Sequence, residues 1–165
     1  MSAGPRAAFV ALGSNLDDPR GHVERALTEL RTIPHTTLTA RSRLYSSPPL
    51  GPADQPDFVN AVAELATALA PRALLAALIE IEQAHGRVRE GQRWGPRTLD
   101  LDLLLYGDVV QDEAGLTLPH PGLTRRAFVL YPLAELAPDL GIPGAGPLRA
   151  LLARVPVGDL AVIED

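Results

Sequence analysis

The 165-residue chain contains no cysteine, and all fifteen of its basic residues are arginines, so it has no lysine either. Without lysine there is no phosphate-loop ammonium, no Schiff base with a carbonyl substrate and no desolvated amine to act as a base. Without cysteine there is no thiolate nucleophile, disulfide framework or zinc knuckle. Any metal must therefore be held by Asp, Glu, His or backbone oxygen, a donor set that suits hard cations such as magnesium. Aromatic residues make up only 4% and the net charge is −5. Both argue against a sheet that stacks RNA bases, or a general nucleic-acid or anionic-membrane surface. No apolar run approaches the roughly 20 residues of a membrane span, because Glu64, Arg72, Glu80 and Glu82 interrupt the richest region. The N-terminus offers one Arg and an apolar stretch of about seven residues with no cleavage pattern behind it. The expectation is a cytoplasmic protein of one domain over residues 1–165, burying roughly 70% of its unfolded surface.

Arg6 to Leu12 is β-prone and ends in the turn cluster Gly13-Ser14-Asn15. Asp17-Asp18-Pro19 supplies an N-cap with Pro at the first helical position, and Val23, Ala26, Leu27, Leu30 and Ile33 recur at helical spacing, so a helix is expected to run towards Pro34. His35 to Ser46 alternates as a half-exposed strand does, and Phe58 to Leu65 resumes a strand after the stiff, proline-rich stretch Ser47 to Pro56. A second helix spans Pro71 to Glu82 and stops at His85-Gly86; residues 86–96 form a loop, and Thr98 to Tyr106 is strongly β-like. Short strands at Val109-Val110 and Leu116 to Leu118, then helices over Thr124 to Leu136 and Leu148 to Arg154, complete the chain. The order β-α-β-β-α-β predicts an α+β, ferredoxin-like sandwich with extra C-terminal short strands and helices. In that architecture the helices cover one face of an antiparallel sheet and leave the other for a ligand.

Chemistry concentrates in Arg97-Thr-Leu-Asp-Leu-Asp102. Strand alternation sends Leu99, Leu101, Leu103 and Leu105 one way and both Asp100 and Asp102 the other. Their Cα atoms are then roughly 6.5–7 Å apart, close enough for the carboxylates to share two metal ions. Two solvated aspartates on an edge strand are the plainer explanation. However, Asp is depleted in strands and like charges on one face repel, so a cation is expected between them. Upstream, Arg87, Arg89, Arg93 and Arg97 stand against the single acid Glu90. Guanidinium forks beside metal-binding carboxylates suit a polyphosphate, and the intervening glycines suit a closing loop. Pro119-His120-Pro121 with Arg125, Arg126 and Phe128 forms another cluster. Phe58 and Asn60 share a strand face, and Asn60 is an anomaly there because a mid-strand amide needs partners.

Taken together, Ala11-Leu-Gly-Ser-Asn-Leu16, Ser47-Pro-Pro-Leu-Gly-Pro52, Gln55-Pro-Asp-Phe-Val-Asn60, the Arg87 to Asp102 segment with its Trp94-Gly-Pro96 lead and Pro119-His-Pro121 resemble the 6-hydroxymethyl-7,8-dihydropterin pyrophosphokinase family of the folate pathway. The likeness extends in order from about Ala7 to Leu152. It implies transfer of pyrophosphate from ATP to the hydroxymethyl oxygen of the pterin, with release of AMP. Asp100 and Asp102 would hold two magnesium ions. Arg87, Arg93, Arg97 and Arg126 would neutralise phosphate, with Arg87 and Arg97 counted alongside the aspartates as catalytic. Arg89 and Trp94 would belong to a mobile loop over the nucleotide, and Glu82, Leu103, Thr117 and His120 would line the ATP site. Phe58 and Phe128 would stack on the pterin, while Ser47, Pro48, Leu50 and Asn60 would read its polar edge. Tyr is frequent in the family where Phe58 stands, so stacking is kept and a hydroxyl is lost. Ile79 and Gly115 occupy positions where some members carry polar nucleotide contacts. The implied partners are small-molecule substrates, and the chain is expected to be a monomer. Two other classes compete: a metal-dependent nucleotide phosphohydrolase using the same Asp pair, and a ferredoxin-like RNA-binding module, against which the composition argues.

Overall fold

The computed structural model of the protein describes residues 5–16, 18–48, 56–86 and 98–163. Strand β1 (Arg6–Ser14) is apolar on both sides: Ala8, Val10 and Leu12 enter one core cluster, while Phe9 and Ala11 enter another. A strand of this composition belongs in the middle of a sheet covered on both faces. It pairs antiparallel with β4 (Phe58–Thr67) on one side and with β5 (Asp100–Tyr106) on the other. Helix α1 (Pro19–Leu30) begins where the Asp18 carboxylate accepts the Gly21 N–H at 3.3 Å, with Pro19 at its first position. Val23, Ala26, Leu27 and Leu30 of α1 and Leu74 and Leu78 of α2 (Pro71–Ala84) pack onto the Ala8, Val10, Leu12 side. α1 stops at Leu30 rather than near Pro34, because Arg31, Thr32 and Ile33 close short turns onto Thr28, Glu29 and Leu30.

The single strand expected over His35 to Ser46 is two strands, β2 (Thr36–Arg41) and β3 (Tyr45–Ser47), which follow one another along the outer edge of β4. Ser42 lies between them. Its N–H donates to the Val62 carbonyl at 2.8 Å, and its hydroxyl oxygen accepts the Val62 N–H at 2.9 Å in place of a strand carbonyl. The C-terminal β10 (Ala161–Val162) adds to the outside of β3, giving the order β10-β3-β4-β1-β5, with β2 also on β4. Short hairpins join β6 (Gln111–Glu113) to β7 (Leu116–Leu118) and β8 (Gly141–Ile142) to β9 (Gly146–Pro147). The strand expected at Val109-Val110 is instead a turn closed by the Val109 N–H on the Tyr106 carbonyl.

Two larger expectations are corrected. The second face of the sheet is not left bare along its length, because α3 (Ala127–Leu136) and α4 (Leu148–Arg154) pack there on Phe9, Ala11, Val62, Leu104 and Leu105. The sequence of α3, AFVLYPLAEL, is apolar nearly all round, and such a helix is stable only when buried. The expected continuous helix from Thr124 is interrupted at Arg126, an extended residue whose carbonyl accepts the N–H groups of Val129 and Leu130 and so starts α3. The second correction concerns β5. Val10 pairs with Leu103 but Phe9 pairs with Leu105, so Leu104 is an inserted bulge residue. Beyond it the alternation inverts: Leu105 joins Leu104 beneath α3, and Tyr106 returns to the α1/α2 side, where its hydroxyl donates to the Leu69 carbonyl. Among the described residues no helix is long and apolar enough to cross a membrane.

Candidate active site

At the end of the sheet beyond the α3/α4 cluster, strand register assembles a row across four strands. Tyr45 of β3 pairs with Asn60 of β4, Asn60 with Gly13 of β1, and Gly13 with Asp100 of β5. Residues paired directly in an antiparallel sheet share a face. Asp100 and Asn60 therefore face the same side, two strand spacings or roughly 9.5 Å apart, with only a glycine between them. The neighbouring row sets Asp102 beside Ala11 and Val62, so both aspartates stand on this face as the alternation required.

Asn60 is only 3% exposed, and the partner its position demanded is Ser47: the Asn60 amide donates from Nδ2 to Ser47 Oγ at 2.7 Å. Phe58, half-buried, lies two residues back on the same face. Asn15, also buried, donates from its side-chain amide to the Pro56 carbonyl at 3.0 Å and pins the approach to Phe58. Pro48 follows Ser47 and is exposed.

Along the outer edge of β5 runs an open cavity of about 290 Å³. Leu75 and Ile79 of α2 with Leu101 and Leu103 give it apolar walls, while Glu82, Asp100, Asp102, Thr117 and His120 give it polar ones. Glu82 is buried, and its carboxylate accepts the Leu101 N–H at 2.8 Å, tying the end of α2 to the start of β5. The bulge brings His120 in: the Leu104 carbonyl accepts the His120 N–H at 2.9 Å. The ring then sits with Nδ1 accepting the Gly122 N–H at 3.1 Å and Nε2 3.7 Å from Asp102 Oδ1. Burial first, and the Arg126 charge second, push the imidazole pKa down against the opposing pull of Asp100, so the ring is neutral at pH 7 and adds no cation to the pair. The Arg126 guanidinium lies 5.8 Å from the centre of the Phe128 ring, within cation–π range. It also crosses Gly122 so closely that a Cβ there would stand 2.5 Å from its Cζ.

Sequence reasoning missed one cluster. Glu135 stands seven residues along α3 from Phe128, two turns on and on the same side. It accepts hydrogen bonds from Tyr45 Oη at 2.5 Å, the Arg43 backbone N–H at 2.9 Å and Arg43 Nε at 3.3 Å. The carboxylate joins α3 to β3, and so the Phe128 element to the Ser47 element. Burial and then the Glu135 bond raise the Tyr45 pKa to about 12. Burial works against ionisation of Glu135, but its Tyr45 and Arg43 bonds outweigh it and hold the pKa below the ordinary value. A lone Glu on an otherwise apolar helix was the available signal.

Leu50, Arg87, Arg89, Arg93, Trp94 and Arg97 lie outside the described residues. Of the others, Glu82, Asp100, Asp102, Leu103, Thr117 and His120 line one cavity, while Ser47, Phe58 and Asn60 gather at the β3/β4 end of the row. Among the described residues no group of three or more His, Asp or Glu converges on one point. Two carboxylates are nevertheless the protein share that magnesium commonly takes when substrate phosphates and water complete its shell, so the donor set fits that ion.

An antiparallel sheet between helices, with an acidic pair at one end facing a cleft walled by leucines and polar groups alike, suits an enzyme that handles a phosphorylated substrate with a divalent cation. The sequence model of the 7,8-dihydro-6-hydroxymethylpterin-pyrophosphokinase family matches residues 9–138, and the chain belongs to that family. It is 57% identical over 148 residues to the 2-amino-4-hydroxy-6-hydroxymethyldihydropteridine pyrophosphokinase of Pseudomonas aeruginosa, covering 90% of this chain and 91% of that one. The Haemophilus influenzae protein of the same name is 49% identical over 147 residues, with 89% and 91% covered. Among solved structures, a triple mutant of Plasmodium falciparum HPPK-DHPS matches with a TM-score of 0.71 at 13% identity, over 91% of this chain and 43% of that longer chain. At that identity the likeness shows the fold.

Proposed function

We infer that the chain transfers pyrophosphate from Mg-ATP to the hydroxymethyl oxygen of 6-hydroxymethyl-7,8-dihydropterin, releasing AMP, as a step of folate biosynthesis. The observation that carries the reading is the Asp100–Gly13–Asn60 register: a metal-type carboxylate pair and a buried, oriented amide on one face, at the separation a substrate must bridge. Phe58 and Phe128 stack on the bicyclic ring; Ser47, Pro48 and Leu50 present polar backbone, and Asn60 presents its side-chain amide. The nucleotide occupies the cleft of Glu82, Leu103, Thr117 and His120, and its phosphates meet Arg87, Arg89, Arg93, Arg97 and Arg126, with Trp94 closing over them. Asp100 and Asp102 would hold two magnesium ions, which when bound would supply Lewis-acid polarisation of the phosphates and lower the pKa of the attacking hydroxyl.

The pterin oxygen forms its bond to the β-phosphorus as the α,β-bridge bond breaks, AMP carries away the bridging oxygen, and the hydroxyl proton passes to solvent. The His120 Nδ1 lone pair is occupied by the Gly122 N–H, so this ring orients and does not act as the base. The residues contribute chiefly by holding the two substrates in line, which can be worth about 7–11 kcal/mol of the barrier. The sheet order, with α1 and α2 as its crossovers, supports the ferredoxin-like description, and we read the chain as one cytoplasmic, monomeric pyrophosphokinase domain over residues 1–165. Product analysis tests the assignment. Protein, Mg-ATP and hydroxymethyldihydropterin should yield AMP and the pyrophosphorylated pterin in equal amounts; ADP or free phosphate as the main product overturns it.

A further inference from the structure

Gly13 is a glycine that the protein's own packing does not require. It lies inside β1, in extended backbone that any residue adopts, and a Cβ placed on it would meet nothing closer than Asn60 Oδ1 at 3.4 Å and Phe58 Cδ1 at 3.6 Å. These are ordinary contact distances, so alanine fits. A glycine inside a strand is unfavourable relative to alanine, and one found there often marks a bulge, a bend, or the close approach of another backbone or a ligand. Gly13 pairs with Asn60 and Asp100 at normal register, and the bulge of the β1/β5 pair lies at Phe9/Val10, so neither a bulge nor a crowding backbone calls for glycine here and the ligand is left.

We propose that Gly13 is a specificity-determining residue of the pterin site, its missing side chain keeping the Asn60 carbonyl oxygen open to a ligand N–H. The inference rests on the assigned reaction. Asn60 spends Nδ2 on Ser47 Oγ, which fixes the amide so that Oδ1 faces β1 and the space over Gly13. An acceptor held in that orientation selects a donor on the substrate's edge, and a bicyclic ring carrying an amino group or a lactam N–H offers one. A methyl at position 13 covers that oxygen at 3.4 Å without displacing it. The cost therefore falls on recognition, and the fold is spared.

Gly13→Ala separates the two. The variant should melt at the wild-type temperature or above it, raise the KM for the pterin by about tenfold, the worth of one neutral hydrogen bond, and leave the KM for ATP within twofold. In an Asn60→Ala background the same change should cost little more, because the oxygen it covers is gone. A pterin KM within twofold of wild type overturns the proposal. So does a lowered melting temperature with both KM values raised, which is the mark of a packing role. Wild-type turnover is the control: AMP release that does not depend on the pterin overturns the assigned reaction, whereas normal wild-type turnover with an unaltered variant overturns only the role of Gly13.

Discussion

Replacing Glu135 with alanine removes one carboxylate and, with it, three hydrogen bonds that hold α3 to Tyr45 of β3 and to Arg43 just before it. The Tyr45 O–H and the Arg43 backbone N–H each lose a charged acceptor, and the Tyr45 residue is only 6% exposed. Hydrogen bonds to charged groups contribute about 1.5–3 kcal/mol each, but the Glu135 side chain is 25% exposed and water can replace part of the loss, so the lower end applies and the two together amount to about 2–3 kcal/mol. The Arg43 side chain, 63% exposed, adds little. For a chain of this size each kcal/mol lowers the melting temperature by about 2–4 °C, so a fall of roughly 5–10 °C is expected in calorimetry at pH 7. The pH dependence identifies the cause. Because the Glu135 pKa lies below its unfolded value, its contribution is complete above the ordinary carboxylate pKa and is lost as pH falls through the depressed one. The gap between wild type and variant should therefore close in acid. Tyr45, raised to about 12, stabilises fully below pH 10 and loses that contribution between about 10 and 12. The loosened α3 carries Phe128, so the pterin KM should rise. A melting loss under 2 °C, or a gap that does not narrow as the pH falls, refutes this reasoning.

Asp100→Asn and Asp102→Asn should each abolish turnover and magnesium-dependent ATP binding while the circular dichroism spectrum stays that of wild type; activity retained in both variants ends the two-metal assignment. Gly122→Ala puts a methyl where the Arg126 guanidinium now lies, and since that end is flexible the fold should persist while the ATP KM rises several-fold. An unchanged KM in steady-state assays would remove Arg126 from the phosphate site. The His120 pKa lies below its unfolded value, so the native state binds fewer protons and stability falls as pH drops below about 6.5; denaturant titrations from pH 7 to 5 should show that slope, and His120→Gln should lack it.

Residue pattern made much of this site readable in advance. Strand alternation alone put Asp100 and Asp102 on one face, and the mid-strand amide of Asn60 announced a partner, which is Ser47. Helix starts were legible where local chemistry decides them, as at Asp18-Pro19. What escaped was long-range. Nothing in the stretch from His35 to Ser46 says that Ser42 will replace a strand carbonyl with its hydroxyl, because the donor it serves, Val62, is twenty residues away. The Leu104 bulge is likewise a property of the β1/β5 pair, invisible to a period-two reading of β5 alone. The α3/α4 layer is also long-range, because the apolar character of α3 marks a buried helix without saying which face of the sheet it covers.

That bulge also governs how β5 can change over evolutionary time. With Leu104 inserted, the strand offers carboxylates and then leucines to the same side, and its final aromatic to the other. Deleting Leu104 would heal the bulge: Leu103, Leu105 and Tyr106 would follow one another opposite Val10, Phe9 and Ala8, and Leu105 and Tyr106 would keep their present sides. The cost of such a deletion is local: the α3/α4 layer would lose one leucine, and the carbonyl that accepts the His120 N–H would go with it. The bulge thus gives β5 one residue of slack: a chain lacking Leu104 should keep both core layers in register and show its change in the placement of His120 beside Asp102.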